Sequence, residues 1–296
     1  SDLANGWGES GWKSSYDIVF LANTILENAY RADMPKDRLN FWMGQASFTK
    51  GLAYFELART FGDAVITRNS TSLEKYGRKP MLEVIDTAIV NAMKAYNLLP
   101  LFENLKDLSG AAITSKQYAC KGAAAALLAH LYAWRGSVIE LYGLEGDAST
   151  DYQKSIDYCT LILDKKVGFY EMQPDPETLC VAMSKMGEYN KESIFELELN
   201  PSETYAQTVR VLGAFLTGYP VDVNATLATQ KTKAFRLKWS TVQQMYETKD
   251  KRVDAYFYTN DEILNDLQTY PYIYLKKWRE GIYFISSTGS AATRMT

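Results

Sequence analysis

The apolar positions repeat most regularly between Thr114 and Gly168, and the rest of the chain is read from there. In ITSKQYACKGAAAALLAHLYAWRG the apolar residues Ala119, Ala123, Ala126/Leu127, Leu131 and Trp134 recur at helical spacing. Thr114 and Gln117 have the spacing of a capping box, and Gly136 reads as the stop. The next stretch, TDYQKSIDYCTLILDKKVG, repeats the Thr-x-x-Gln opening at Thr150 and Gln153. It carries Tyr152, Ile156, Cys159 and Leu163 on one face. The two openings lie 36 residues apart, and small residues on the first helix face bulky ones on the second. That arrangement predicts a tetratricopeptide-like hairpin, in which alanines let the helices approach closely. One hairpin cannot bury its own apolar face, so further copies are expected.

They are found upstream. Residues 11–30 are apolar almost all round a helix and predict packing on both sides, with Asn23 as a buried amide bonded to a neighbouring helix or loop. After the polar turn RADMPKDR comes a second helix. Trp42, Ala46, Ala53 and Leu57 form one stripe, Phe41, Phe48, Leu52 and Phe55 another, and Gly62 ends it. AVITRNSTSLEKYGRK reads as an exposed loop. Pro80 opens a helix carrying Leu82, Ile85, Ala88/Ile89, Ala92 and Tyr96, which Pro100 closes. Beyond Gly168 the periodicity changes. NKESIFELELN alternates as a short strand would, with Phe195, Leu197 and Leu199 on one face. From Pro201 to Phe235 no period persists, and long irregular segments are often functional. STVQQMYET predicts a short helix opened by Thr241 and Gln244. YPYIYLKKW and GIYFISS have strand character, with Pro271 pointing to an edge. The fold class expected is mainly α: helical hairpins over residues 1–168 form a scaffold, and residues 169–296 form an irregular, loop-rich, ligand-facing portion with a few short strands packed on it.

Composition narrows the function. Of 296 residues 47% are hydrophobic, enough for a real core, and the net charge of −3 with no Lys/Arg run argues against a nucleic-acid partner. Cys120, Cys159 and Cys180 have no close-spaced pairing and read as inert buried thiols, and no apolar run approaches a membrane span.

In order along the chain, YDIVFLANTILEN, GQASFTKGLAYFELARTFGDAVIT, the alanine-rich helix, SIDYCTLILDKKVGFYEM, NKESIFELE and TKDKRVDAYFY followed by LKKW resemble the SusD/RagB family of outer-membrane lipoproteins. Two local departures are Val65, where the family usually has a proline, and Lys251 within Asp250-x-Arg252. The resemblance implies about four helical hairpins and a non-catalytic protein that captures oligosaccharide for a TonB-dependent outer-membrane transporter, with the helical face docking on it. It also implies a surface-exposed lipoprotein of the Bacteroidetes outer membrane. Its N-terminal lipid anchor and last helical pair are expected to lie outside this sequence.

Sugars are recognised by flat aromatic faces and by polar groups that bond hydroxyls. Trp12, Trp42, Trp134, Tyr54 and Tyr132 fall on helical stripes and read as core. Trp7, Tyr76, Tyr142, Tyr205, Tyr219, Tyr270, Tyr272 and Tyr283 lie in predicted loops, as do Arg68, Asn69, Asp222 and Asn224. From these, Trp7, Arg68, Asn69, Tyr76, Tyr205, Tyr219, Asp222, Asn224 and Tyr283 are the candidate ligand contacts. His130 stands alone, mid-helix, so a transition-metal site is not expected. A loop of carboxylates and carbonyls leaves room for a structural calcium ion, and no other cofactor is expected. No Gly-x-Ser-x-Gly elbow or phosphate-binding loop occurs. A repeat scaffold binding a protein or peptide is the alternative. A glycosidase, which needs two carboxylates set across the scissile bond, ranks behind both.

Overall fold

The computed structural model describes residues 7–72, 74–184, 190–197 and 237–259, with short pieces at 264–265, 267, 271–273, 275–277, 283–284 and 293–294. Side chains are not described for 7–10, 184, 283–284 and 293–294. The chain divides into two compact units, Ser1–Tyr170 with Ser193–Glu196, and Glu171–Glu192 with Leu197–Thr296.

The first unit is a run of helices in which each packs on the next: α1 (Trp7–Asn28), α2 (Lys36–Phe61), α3 (Met81–Leu98), α4 (Lys121–Tyr142) and α5 (Ala148–Leu163). Its core gathers Phe41, Phe48, Tyr54 and Leu57 of α2, Val84 and Ile85 of α3, and Leu128 and Leu131 of α4. Small residues set the spacing between helices. A Cβ on Gly51 would stand 3.1 Å from the Ala88 carbonyl, so α2 and α3 meet almost backbone to backbone.

The hairpin of α4 and α5 exists, but its ends differ from the sequence expectation. Thr114 and Gln117 do not open a helix. The Gln45 side chain takes both backbone groups of Ala119, donating to its carbonyl at 2.7 Å and accepting its N–H at 3.0 Å. Those groups are then lost to a helical ladder, and α4 starts at Lys121. Gly136 does not stop α4. It lies inside the helix because α5 crosses there: a Cβ would come 2.9 Å from the Tyr152 ring and 3.1 Å from the Ala148 carbonyl. The stop is Gly143, in the left-handed conformation at φ 60°. The cap of α5 is Asp147, whose carboxylate accepts from the Thr150 N–H and hydroxyl. Gln153 turns forward to Asp157 rather than back.

The inward face of α5 is also rotated by one residue from the expected stripe. Asp151, Ser155 and Tyr158 face the scaffold. Asp151 receives Arg135 at 2.6 Å, Ser155 donates to the Ala129 carbonyl, and Tyr158 stacks on Tyr132 at 6.0 Å. Ile156, Cys159 and Leu163 are exposed. The polar and aromatic partners on α4 select this face, and the aliphatic stripe is left outside. Helix α1 likewise packs on one side through Trp12, Tyr16, Val19 and Ala22, while Ile18, Phe20, Leu21 and Ile25 are exposed on the other, so the expectation of two packed sides does not hold. Trp134 is 39% exposed rather than core, its ring meeting Phe55 edge-on. Cys120 and Cys180 are buried and Cys159 is not.

In the second unit α6 (Pro176–Ser184), α7 (Trp239–Met245) and α8 (Arg252–Tyr256) are short. Thr241 does not open α7, which begins two residues earlier. Strand β4 (Tyr272–Ile273) pairs antiparallel with β3 (Leu237–Lys238), and the resulting small core is Val242, Phe257 and Ile273. Asp250 holds Arg252 through its backbone N–H and guanidinium. The strand expected at NKESIFELELN is absent over residues 190–197: Phe195 packs on Phe48 at 4.9 Å while Leu197 is 79% exposed, so they share no face. Leu199 lies outside the described residues.

Candidate functional site

Between α2 and α3 the chain makes a loop, residues 62–80, tied to the helices at residues 63, 65, 67 and 70. Its two ends pair as β1 (Ala64–Val65) and β2 (Arg78–Lys79), antiparallel. Gly62, at φ 73°, takes the turn out of α2, and Asp63 accepts the first N–H of α3, from Met81, at 2.9 Å. Pro80 is the residue before α3 rather than its first.

Inside the stem three residues of α1 and one of α2 reach the loop. The Tyr16 hydroxyl donates to the Val65 carbonyl at 2.9 Å and accepts the Val65 N–H at 2.7 Å. Asn23, buried as expected, donates to the Thr67 hydroxyl at 3.3 Å. Tyr54, fully buried, accepts the Thr67 N–H at 3.1 Å and lies 3.4 Å from its hydroxyl. Glu27 accepts from the Ser70 N–H at 2.9 Å and the Ser70 hydroxyl at 2.5 Å. Burial pushes the Tyr16 phenol up to about 12, with its bond to Val65 acting the other way, and burial also raises Tyr54. Both phenols are therefore protonated at neutral pH and available as donors.

The side chains of the stem divide between the core and solvent. Ile66 packs into the core, while Arg68 and Asn69 stand exposed. Asn69 is partly engaged by the turn: its Oδ1 accepts from the N–H groups of Thr71 and Ser72, at 3.1 and 2.6 Å, which leaves Nδ2 as its donor end. Tyr76 is half-buried, and its hydroxyl finds no hydrogen-bond partner among the described residues. Arg78 lies over the Trp12 ring at 5.1 Å. The loop thus presents a guanidinium, an amide and the hydroxyls of Thr71 and Ser72 on a fixed backbone, a set suited to bonding the hydroxyls of a neutral or acidic polyol.

Of the expected contacts, the structure brings Arg68, Asn69 and Tyr76 into this one loop. Trp7 begins α1 and Tyr283 begins β5 (Tyr283–Phe284), paired with β6 (Thr293–Arg294), but neither side chain is described. Tyr205, Tyr219, Asp222 and Asn224 lie outside the described residues, as does Tyr270. Tyr142 ends α4, exposed, and Tyr272 sits half-buried in β4 (Tyr272–Ile273). Sequence reasoning missed the roles of Tyr16, Glu27, Tyr54 and Thr67. The signal was present: Tyr16, Asn23 and Glu27 are polar-tipped residues at i, i+7 and i+11 along an otherwise apolar helix, a spacing that puts them on one face. Among the described residues no three His, Cys, Asp or Glu side chains gather as a metal site would require, and no helix is long and apolar enough to cross a membrane.

Residues 4–133 match a SusD-like family model described as starch-binding and associating with the outer membrane. No curated protein sequence matches the chain. Among solved structures, one determined with a xylogluco-oligosaccharide is 17% identical with a TM-score of 0.66 over 91% of this chain and 52% of its own. A SusD homolog from Bacteroides thetaiotaomicron is 19% identical, with a TM-score of 0.54 over 65% of this chain and 36% of its own. A laminarin-binding SusD-like protein is 17% identical, with a TM-score of 0.50 over 72% and 40%. The chain spans between about a third and half the length of these proteins, and at such identities the likeness is one of fold. The SusD-like pattern in residues 4–133 and the helical scaffold shared with these solved structures agree with the element order read from the sequence, and the fold of that scaffold is the SusD-like one.

Proposed function

We propose that this protein is a non-catalytic glycan-binding protein of the bacterial surface, which captures oligosaccharide and passes it to a TonB-dependent outer-membrane transporter. The observation that carries the reading is the loop of residues 62–80, whose backbone is fixed to α1 and α2 at residues 65, 67 and 70 and which displays Arg68 and Asn69 to solvent. A preorganised loop loses little entropy when it binds, which suits a ligand rich in hydroxyls and poor in apolar surface. The description of the matching family model and the ligands named for two proteins of the same fold, laminarin and a xylogluco-oligosaccharide, support glycan as the ligand class.

Isothermal titration of the protein with laminarin and xyloglucan oligosaccharides tests this. Saturable binding that weakens about tenfold or more in the Arg68→Ala/Asn69→Ala variant, with the sugar recovered uncut, is the expected result, as loss of two polar contacts at about 1 kcal/mol each implies. Binding indifferent to both substitutions would remove the loop from the site. Turnover of the sugar would make the protein an enzyme.

A second reading, a helical scaffold that binds a protein or peptide, is favoured by the exposed stripes Ile156 and Leu163 on α5 and Ile18, Leu21 and Ile25 on α1. Both readings place a partner on the helices. They differ in whether sugar binds at the loop.

A further inference from the structure

Helix α1 and the loop stem are matched in length. From Tyr16 to Glu27 the helix advances eleven residues, about 16 Å at its rise of about 1.5 Å per residue, and the five steps from Val65 to Ser70 reach about the same distance at full extension. The end positions carry the outer clamps, Tyr16 on Val65 and Glu27 on Ser70. Between them Thr67 differs from its neighbours in drawing on two helices. Asn23 of α1 reaches its hydroxyl, and Tyr54 of α2 takes its N–H while lying beside the same hydroxyl. The next residue is Arg68 and the one after is Asn69, both exposed.

Thr67 is held at both its N–H and its hydroxyl, so the chain enters Arg68 and Asn69 from a point fixed to two helices. A valine at 67 would keep the shape and the N–H to Tyr54 but lose the hydroxyl shared by Asn23 and Tyr54. That leaves a buried amide and a buried phenol each short of a partner.

We propose that Thr67 is the positioning residue of the glycan site: it touches no ligand, and it sets the orientation of Arg68 and Asn69 by joining α1, α2 and the loop at one hydroxyl. This rests on the reading of the loop as the binding site. Its signature is a loss of binding that acts through Arg68 and Asn69, and that a serine at 67, which keeps the hydroxyl, prevents.

The test is titration of full-chain variants with whichever of the xyloglucan or laminarin oligosaccharides the unaltered protein binds more tightly, with thermal unfolding measured alongside. Thr67→Val should weaken binding about tenfold, and Thr67→Ser should stay within about twofold of the unaltered protein. In the Arg68→Ala/Asn69→Ala background, adding Thr67→Val should cost less than a further twofold, because the groups it orients are gone. Tyr54→Phe, which keeps the ring in the core, serves as the second variant if Thr67→Val does not fold and should show the same non-additivity. An unchanged affinity in Thr67→Val, an equal loss in both backgrounds, or a Thr67→Ser variant as weak as valine would overturn the proposal while leaving the loop as the site. Binding untouched by Arg68→Ala/Asn69→Ala, or no binding of either sugar, overturns the site reading and the proposal together.

Discussion

At the scale of single residues, two of the groups that hold the loop, the phenols of Tyr16 and Tyr54, must keep their protons. Tyr16 both donates to and accepts from Val65, and only the neutral phenol can do both. Its pKa in the folded chain is raised to about 12 from the ordinary 10. Between those values the unfolded chain has released this proton while the folded chain retains it, so the folded state binds more protons and stability falls as pH rises. Chemical denaturation measured between pH 10 and 12 should show that fall, with a smaller slope in Tyr16→Phe. Asp147 is a simpler case. Its carboxylate caps α5 through Thr150, its pKa is lowered first by the Thr150 hydroxyl, and Asp147→Ala should lower the midpoint of a denaturant titration. What could be read from the sequence at this scale was burial more than partnership. Asn23 was legible as a buried amide because it interrupts a stretch that is apolar almost all round the helix. The cap at Asp147 was not, because Thr150 and Gln153 offered an equally regular opening three residues later, and only the side-chain directions separate the two.

At the scale of elements, helix existence and order followed from the periodicity, while ends and faces did not. Period alone cannot choose between a stripe at 152, 156, 159 and 163 and one at 151, 155 and 158, since both recur at helical spacing. The choice was made by Arg135, which bridges Asp86 of α3 and Asp151 of α5 at 2.7 and 2.6 Å and so ties three helices together. The Asp151 side chain is only 4% exposed, so Asp151→Ala leaves Arg135 short of its buried partner with Asp86 remaining. A loss of about 2 to 3 kcal/mol is expected, somewhat below that for a fully buried pair, and urea unfolding would read it. Gly136 was misread as a stop for the related reason that a close crossing and a chain turn ask for the same residue. Gly136→Leu would drive a side chain into Tyr152 and the Ala148 carbonyl. A melting temperature lowered by several degrees, with the loop and its sugar affinity intact, is the outcome that a purely structural role for this crossing requires.

At the scale of the whole molecule, the scaffold was legible because alanine-rich helices in sequence pack on their neighbours, so local order in the chain becomes order in space. The loop between α2 and α3 obeys no such rule. Arg68, Asn69 and Tyr76 were found as loop residues with useful chemistry, but the ties that hold them come from Tyr16, Asn23 and Glu27, more than forty residues earlier. If the helices hold the loop rather than bind the sugar themselves, exposed α5 substitutions such as Ile156→Ser should leave oligosaccharide affinity unchanged. The same substitutions would weaken association with a protein partner seated on α5.

The clamped stem also divides the loop into a part bonded to the helices and a tip beyond it. Residues 64–65 and 78–79 pair with each other, and helix side chains bond residues 65, 67 and 70, so the chain between Ser70 and Arg78 is carried on two fixed posts. A segment anchored in that way can be lengthened, shortened or rewritten at small cost to the fold, since loop closure between fixed ends rises only slowly with length. If the loop is the sugar site, the protein is a ready recipient for grafting: exchanging the residues between Thr71 and Gly77 would retarget it to a different sugar while the helices stay as they are.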